Sequence, residues 1–301
     1  MNNKRRLFST VLCVAALTAG LFVSGCGSDK AGGIGSVVSS VVDGGDEKAA
    51  AKLNTLIDAT NRFNSDNASF AEFQAEGLAK LKGGFAEGAI TNQPHFDRLQ
   101  ADLEKAKKEG STFKEVDAER DNVLNILNEL VPVYKDLTAY DDSKAYMNDG
   151  GAKGKELAAK YVAAVEKFDA AYAKFNETLN KVNAEQSKKQ IEKLKKDGKK
   201  GYAAAMESTL RLTTLVDNLE KAPQKADKAA VEKELSEIEA LLKSINNDRG
   251  QVLADRYNSV VGDVRQVLAD PSDNNLNNMI QGFNGYIDTY NSTTPDQFDA
   301  K

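Results

Sequence analysis

Hydrophobic positions recur every three or four residues over most of this 301-residue chain, and no stretch sustains the alternation of a half-buried strand. The clearest run lies between Lys155 and Asn183. Leu157, Tyr161, Val165, Phe168, Tyr172, Phe175, Leu179 and Val182 follow one another there at helical intervals. That is the seam of a helix packed on others at a shallow angle. Ile191 and Leu194 continue the register toward Asp197, but residues 183–190 are polar on every face and read as solvent-exposed. A second helix is predicted over 116–138, with Val116, Val123, Leu127, Leu130, Tyr134 and Leu137 on one face. Pro132 falls inside it, removes a backbone bond and should kink it. The same reasoning predicts helices over 46–64, 66–82, 94–108, 200–221, 226–244, 247–269 and 273–291. Gly83-Gly84, Pro94, Asp149-Gly150-Gly151, Gly198, Gly201, Pro223 and Pro271 punctuate them. The expected fold is all-α, an elongated antiparallel helical bundle with long coiled-coil-like helices.

The N-terminus breaks this pattern. Lys4, Arg5 and Arg6 precede an apolar or small run from Leu7 to Val23, and Val23-Ser24-Gly25-Cys26 closes it. This is the build of a bacterial secretory signal with a lipobox in place of an ordinary cleavage site. The chemistry expected is a diacylglyceryl group on the Cys26 thiol, cleavage before Cys26 and acylation of the new amine. A transmembrane helix is the competing reading, but a run of about 17 residues is at the lower limit for spanning a bilayer. An ordinary signal peptide would not need Cys26. The expected division is a signal peptide over 1–25, a lipidated cysteine and flexible tether over 26–45, and a helical domain over 46–301. The tether is rich in Gly and Ser and averages roughly 24 Å end to end as a coil. Alternatively, Val37, Val38, Val41 and Val42 dock on the domain as a short helix. The protein is then extracytoplasmic and held to a membrane by lipid. In a Gram-negative host, Gly27 leaves the outer membrane open as destination; in a Gram-positive host, the protein sits on the outer face of the cell membrane.

Charge and cysteine usage narrow the classes. Residues 1–25 carry three basic residues and no acidic one, so their removal takes the net charge from −5 to −8. That balance argues against nucleic acid as a partner and against electrostatic adhesion to anionic lipid. Cys13 leaves with the signal and Cys26 is consumed by lipid, so no thiol remains for disulfides, zinc or nucleophilic attack. His95 is the one histidine, and without a second a histidine metal site or a Ser-His-Asp device rests on it alone. Gly150-Gly151-Ala152-Lys153-Gly154-Lys155-Glu156 only faintly resembles a phosphate loop: its glycine spacing is short, Glu156 stands in the Ser/Thr place, and no strand precedes it. Glu232, Glu234, Glu237 and Glu239 crowd one helix. Glu234 and Glu237 share a face that would hold a cation if another helix supplied oxygens, but a solvated acidic face is the simpler reading. No cofactor, metal or catalytic constellation is expected.

One stretch carries a resemblance. Leu130-Val131-Pro132-Val133-Tyr134, Tyr140 and Tyr146 among acidic residues, Lys153-Gly154-Lys155-Glu156-Leu157, and Val162-Ala163-Ala164 before Glu166-Lys167-Phe168-Asp169-Ala170-Ala171 resemble the YiiG-like bacterial lipoproteins. Leu53-Asn54, Asn61, Leu194 and Gly198-Lys199-Lys200 add to the match. The resemblance covers roughly 50–222 and extends more loosely toward 292, and one departure is Ala158 or Ala159, where a histidine is expected. It implies a lipid-anchored helical domain and no reaction. The first and last helices also resemble each other, with asparagines beside apolar residues near their ends, as in a duplication or in two helices bonded side by side.

The connection between the two strongest helices is the candidate interaction loop: Tyr140, Asp141, Asp142, Tyr146, Lys153 and Lys155. Loops on a rigid frame are where function concentrates, and tyrosines beside charges are common in protein contacts. The bland alternative is that the tyrosines pack over the bundle end while the charges face water. The expected role is a non-enzymatic binding or scaffolding module for another envelope component, attached to the membrane through Cys26. The alternative is a lipoprotein holding a small ligand or metal in a cavity between helices.

Overall fold

The computed structural model describes residues 44–300 apart from 69, 92, 111 and 112. The lipobox Val23–Cys26 and most of the tether lie outside the described residues. Within them the chain is all-α, with no strand. Two compact units divide it, Lys52–Val182 and Asn183–Lys301.

The first unit contains most of α1 (Gly44–Ala68), together with α2 (Ala71–Lys82), α3 (Phe96–Lys108), α4 (Lys114–Asp142) and the short α5 (Tyr146–Asp149). It also takes most of α6 (Ala152–Lys196). The seam read from the sequence is its core: Leu157, Tyr161, Val165, Phe168, Phe175, Leu179 and Val182 are buried. The aromatic rings of that seam meet those of the other helices. Phe63 of α1 packs edge-on against Phe168 at 5.8 Å and Tyr172 at 5.3 Å, and Phe96 of α3 meets Phe168 at 5.0 Å. Edge-to-face pairs of this kind add about 1 kcal/mol each beyond the area they bury. The α-helix α4 runs through Pro132 without interruption.

The second unit packs α7 (Lys200–Lys221), α8 (Lys228–Lys243), α9 (Asp248–Ala269) and α10 (Asp273–Asn291) against one another. A 3-10 turn, Pro223–Lys225, joins α7 to α8, and a last turn, α11 (Pro295–Phe298), packs on α7 and α9. These short elements bear too few periodic positions to be read from the sequence. Side-chain caps start three of the helices: Asp227 for α8, Asn247 for α9 and Ser272 for α10. The N-terminus of α7 has no such residue beside it. Instead Asp299 accepts from the backbone N–H groups of Gly201 (2.7 Å) and Tyr202 (3.4 Å), while Tyr202, Tyr290 and Phe298 stack.

One expectation holds only in part: Glu185, Lys188 and Lys189 are exposed, but their neighbours are not all so. Residues 183–190 are helical, and Asn183 and Ser187 are buried, as are Ile191 and Leu194 beyond them. Composition points to water, but small polar side chains fit a crowded helix flank when their neighbours are aliphatic. The helix stops at Gly198, whose φ of +80° lets the Lys199 N–H reach back to the Leu194 carbonyl at 2.9 Å, a glycine stop of the Schellman kind. Asn64 of α1 accepts from Tyr172 Oη at 3.0 Å, and α10 packs on α9 and α7.

Candidate functional site

The segment from α4 to α6 is built around Asp149. Its carboxylate accepts from the backbone N–H groups of Gly151 (2.9 Å) and Lys153 (3.1 Å), capping the start of α6. Tyr140, near the end of α4, donates its hydroxyl to the same carboxylate at 2.5 Å. That bond, with the two backbone donors, holds the Asp149 carboxyl below the usual carboxylate range. Burial, then the facing Asp149 charge, pushes the Tyr140 hydroxyl up. Neither group exchanges a proton near neutral pH, so this is a clamp and not an acid–base pair.

The segment between α2 and α3 is laid over the clamp. Phe85 meets the Tyr140 ring edge-on at 5.1 Å and the Tyr146 ring at 5.3 Å. Gly88 donates its N–H to Asp141 Oδ2 at 2.9 Å, and Tyr146 is hydrogen-bonded to Glu87, which pushes its hydroxyl up to about 12. Below, the buried Tyr161 hydroxyl donates to Gln93 Oε1 at 2.7 Å. Gly154 leaves room for the rings, because a Cβ there would stand 2.5 Å from Tyr140 Cε1 and 2.6 Å from Phe85 Cγ.

The six residues expected to form the interaction loop therefore separate. Tyr140 is buried, and Tyr146 and Asp141 are half-buried in the clamp. Asp142 and Lys153 are exposed, and so is Lys155, which lines a neighbouring groove of about 320 Å³. Leu81, Gly83 and Gly84 form one wall of that groove, and Ala159, Val162 and Ala163 of α6 form the other. Lys82 Nζ meets Glu166 Oε1 across it at 2.7 Å. Sequence reasoning missed Phe85, Glu87, Asp149 and Glu166. Asp149 is legible as an acidic residue just before a helix, but its immediate context reads only as a Gly-rich break.

Elsewhere the acidic run of α8 is neither a cation site nor merely solvated. Glu234 takes a bidentate pair from Arg211 at 2.7 and 2.8 Å, and Glu237 binds the same guanidinium. Glu232 takes another from Arg265 at 2.9 and 2.8 Å. The run thus links α8 to α7 and α9. No group of three or more His, Cys, Asp or Glu side chains suited to a metal ion occurs among the described residues, and His95 is an exposed residue at the start of α3. No described helix is long and apolar enough to cross a membrane.

Residues 47–269 match the family described as "Protein of unknown function (DUF3829)". No curated protein and no solved structure matches the chain.

Proposed function

Starting from a chain that belongs to the DUF3829 family of proteins of unknown function, we propose that it is a lipid-anchored envelope protein of the YiiG-like kind. Its role is to bind or scaffold another envelope component, without catalysis. The observation that carries the reading is Val23-Ser24-Gly25-Cys26 at the end of an apolar run with a basic start. Two or three acyl chains on one cysteine anchor far more firmly than a single myristoyl group, since each buried methylene adds about 0.8 kcal/mol. The helical units then stand outside the cytoplasm, with a loop cluster fixed by the Asp149 clamp. What supports a binding role is rigidity joined to exposure: the frame is pinned by buried aromatics, while Met147 of α5 is 75% exposed beside it. A small-ligand role finds less support, because the groove beside Lys155 is open to solvent rather than enclosed.

The test has two steps. Mass spectrometry of the mature N-terminus should find residues 1–25 removed and acyl chains on Cys26, and should find neither change in Cys26→Ser. An unprocessed N-terminus would overturn the anchor. Cross-linked cells should then yield the same defined partner with the wild type and, in reduced amount, with Met147→Ser. Recovery of no partner by either form would overturn the scaffold.

A further inference from the structure

Away from the core, the start of α6 carries a charge pattern that reads the same from both ends. Lys155-Glu156 and Glu166-Lys167 mirror each other about position 161. Ala152, Ala159, Ala163 and Ala170 lie between and beyond them, all exposed. At 3.6 residues per turn, Lys155, Ala159, Ala163, Glu166 and Ala170 fall within about 80° of one another, with Glu156 and Lys167 at the border. Leu157, Tyr161, Val165 and Phe168 face roughly the other way and are buried. Lys155 and Lys167 have no ion-pair partner among the described residues. Glu156 and Glu166 each use Oε1 for a bond within the chain, to Lys160 at 2.6 Å and Lys82 at 2.7 Å.

We infer that this face is where two copies of the chain associate, α6 against α6 and antiparallel, about a two-fold axis level with Tyr161. In that arrangement Lys155 of one copy meets Glu166 of the other, and Glu156 meets Lys167. The two-fold repeats both pairs, so four ion pairs flank the contact. Ala152 faces Ala170 and Ala159 faces Ala163 along its middle, where small side chains let two helix backbones approach closely. The contact is isologous, as any contact about a two-fold axis is. A parallel pairing would set Lys155 against Lys155 and Glu166 against Glu166. A partner of one charge sign gains little from a face whose charges balance. The groove formed with Leu81, Gly83 and Gly84 gives the second helix room once the exposed Lys82 side chain, which crosses it to Glu166, swings aside.

The test uses the full-length chain in mild detergent with Cys13 and Cys26 replaced by serine, so the introduced thiols are the only ones and the outcome does not depend on the lipid. The A159C/A163C variant should form a disulfide-linked dimer on mild oxidation, whereas K181C, on the same helix but far from the axis, should not. Adding K155E/E156K leaves net charge unchanged but sets like charges against each other at all four pairs. At a few tenths of a kcal/mol for each exposed pair reversed, cross-linking should fall about tenfold. Adding E166K/K167E as well should restore it, because the pattern is again complementary. Circular dichroism on every variant checks that helicity is kept. Equal cross-linking by K181C, or a half-swapped variant that cross-links like its parent, would overturn the proposal.

Discussion

Gly154→Ala places two familiar effects in opposition, and the structure decides between them. Alanine in a helix interior is favoured over glycine by about 1 kcal/mol, so the change would stabilise α6 if nothing stood nearby. A Cβ at 154, however, would lie 2.5 Å from Tyr140 and 2.6 Å from Phe85, about 1 Å inside ordinary carbon contact distance. The Tyr140 ring cannot retreat freely, because its hydroxyl is held on Asp149. Overpacking costs about 1–3 kcal/mol, and weakening a hydrogen bond to a charged group costs about 1.5–3 kcal/mol more. Net destabilisation of roughly 1.5–5 kcal/mol follows. Gly262→Ala is the matched control: it sits mid-helix in α9, and a Cβ there would meet no neighbouring group within 4 Å, so only the propensity gain applies. Thermal unfolding followed by circular dichroism at 222 nm measures both. Gly154→Ala should lower the midpoint of the first unit's transition by several degrees, at about 4 °C per kcal/mol, and Gly262→Ala should raise that of the second. A Gly154→Ala protein as stable as the wild type would refute the claim that the clamp is rigid.

Three further outcomes follow from particular contacts. Burial, then Glu166, raises the Asp169 carboxyl to about 7, with Lys82 opposing. The folded chain therefore keeps a proton that the unfolded chain releases near pH 4, and stability contributed by this group is lost as pH rises from about 4 through 7. In urea unfolding Asp169→Asn should lie within about 1 kcal/mol of the wild type at pH 4 and exceed it at pH 8 by up to about 4 kcal/mol; equal stability at both would sink the assignment. Tyr286→Phe removes a buried hydroxyl shared by Ser208 and Thr209, both of which keep the Ala205 carbonyl, so a loss of about 1 kcal/mol is expected rather than collapse. Asp299→Ala uncaps α7 and should cost about 1 kcal/mol, visible as faster amide exchange at Gly201 and Tyr202.

Much of the helical layout is legible because burial on one side imposes a period on the chain. The limits of α3, α7, α8, α9 and α10 fall within two residues of those read from helical periodicity with Pro94, Pro223 and Pro271 as punctuation. Where the reading stops short, the cause is tertiary. Asn183 and Ser187 have polar side chains that a neighbour can bury, and nothing in their own sequence says so. The candidate loop stands out by its tyrosines and charges, but its packing depends on Phe85 and Glu87, more than fifty residues upstream. No local pattern announces that a glycine-ended helix will return an aromatic ring to that place. The acidic run of α8 is conspicuous, yet its partners Arg211 and Arg265 are set by how three helices lie together.

The overlay of the 83–91 segment on the α4–α6 connection carries a consequence for how such a chain can vary. Surface connections ordinarily accept insertions and changes of length independently of one another. Here Phe85, Tyr140, Tyr146 and the bare Cα of Gly154 share one packed volume, and Gly88 is tied to Asp141. A residue inserted into either connection shifts the other's ring or breaks its cap. Among relatives that keep the clamp, the two lengths should be inherited together, and a larger residue at 154 should appear only where Phe85 or Tyr140 has become smaller. Two stretches of chain far apart in sequence behave, for selection, as one.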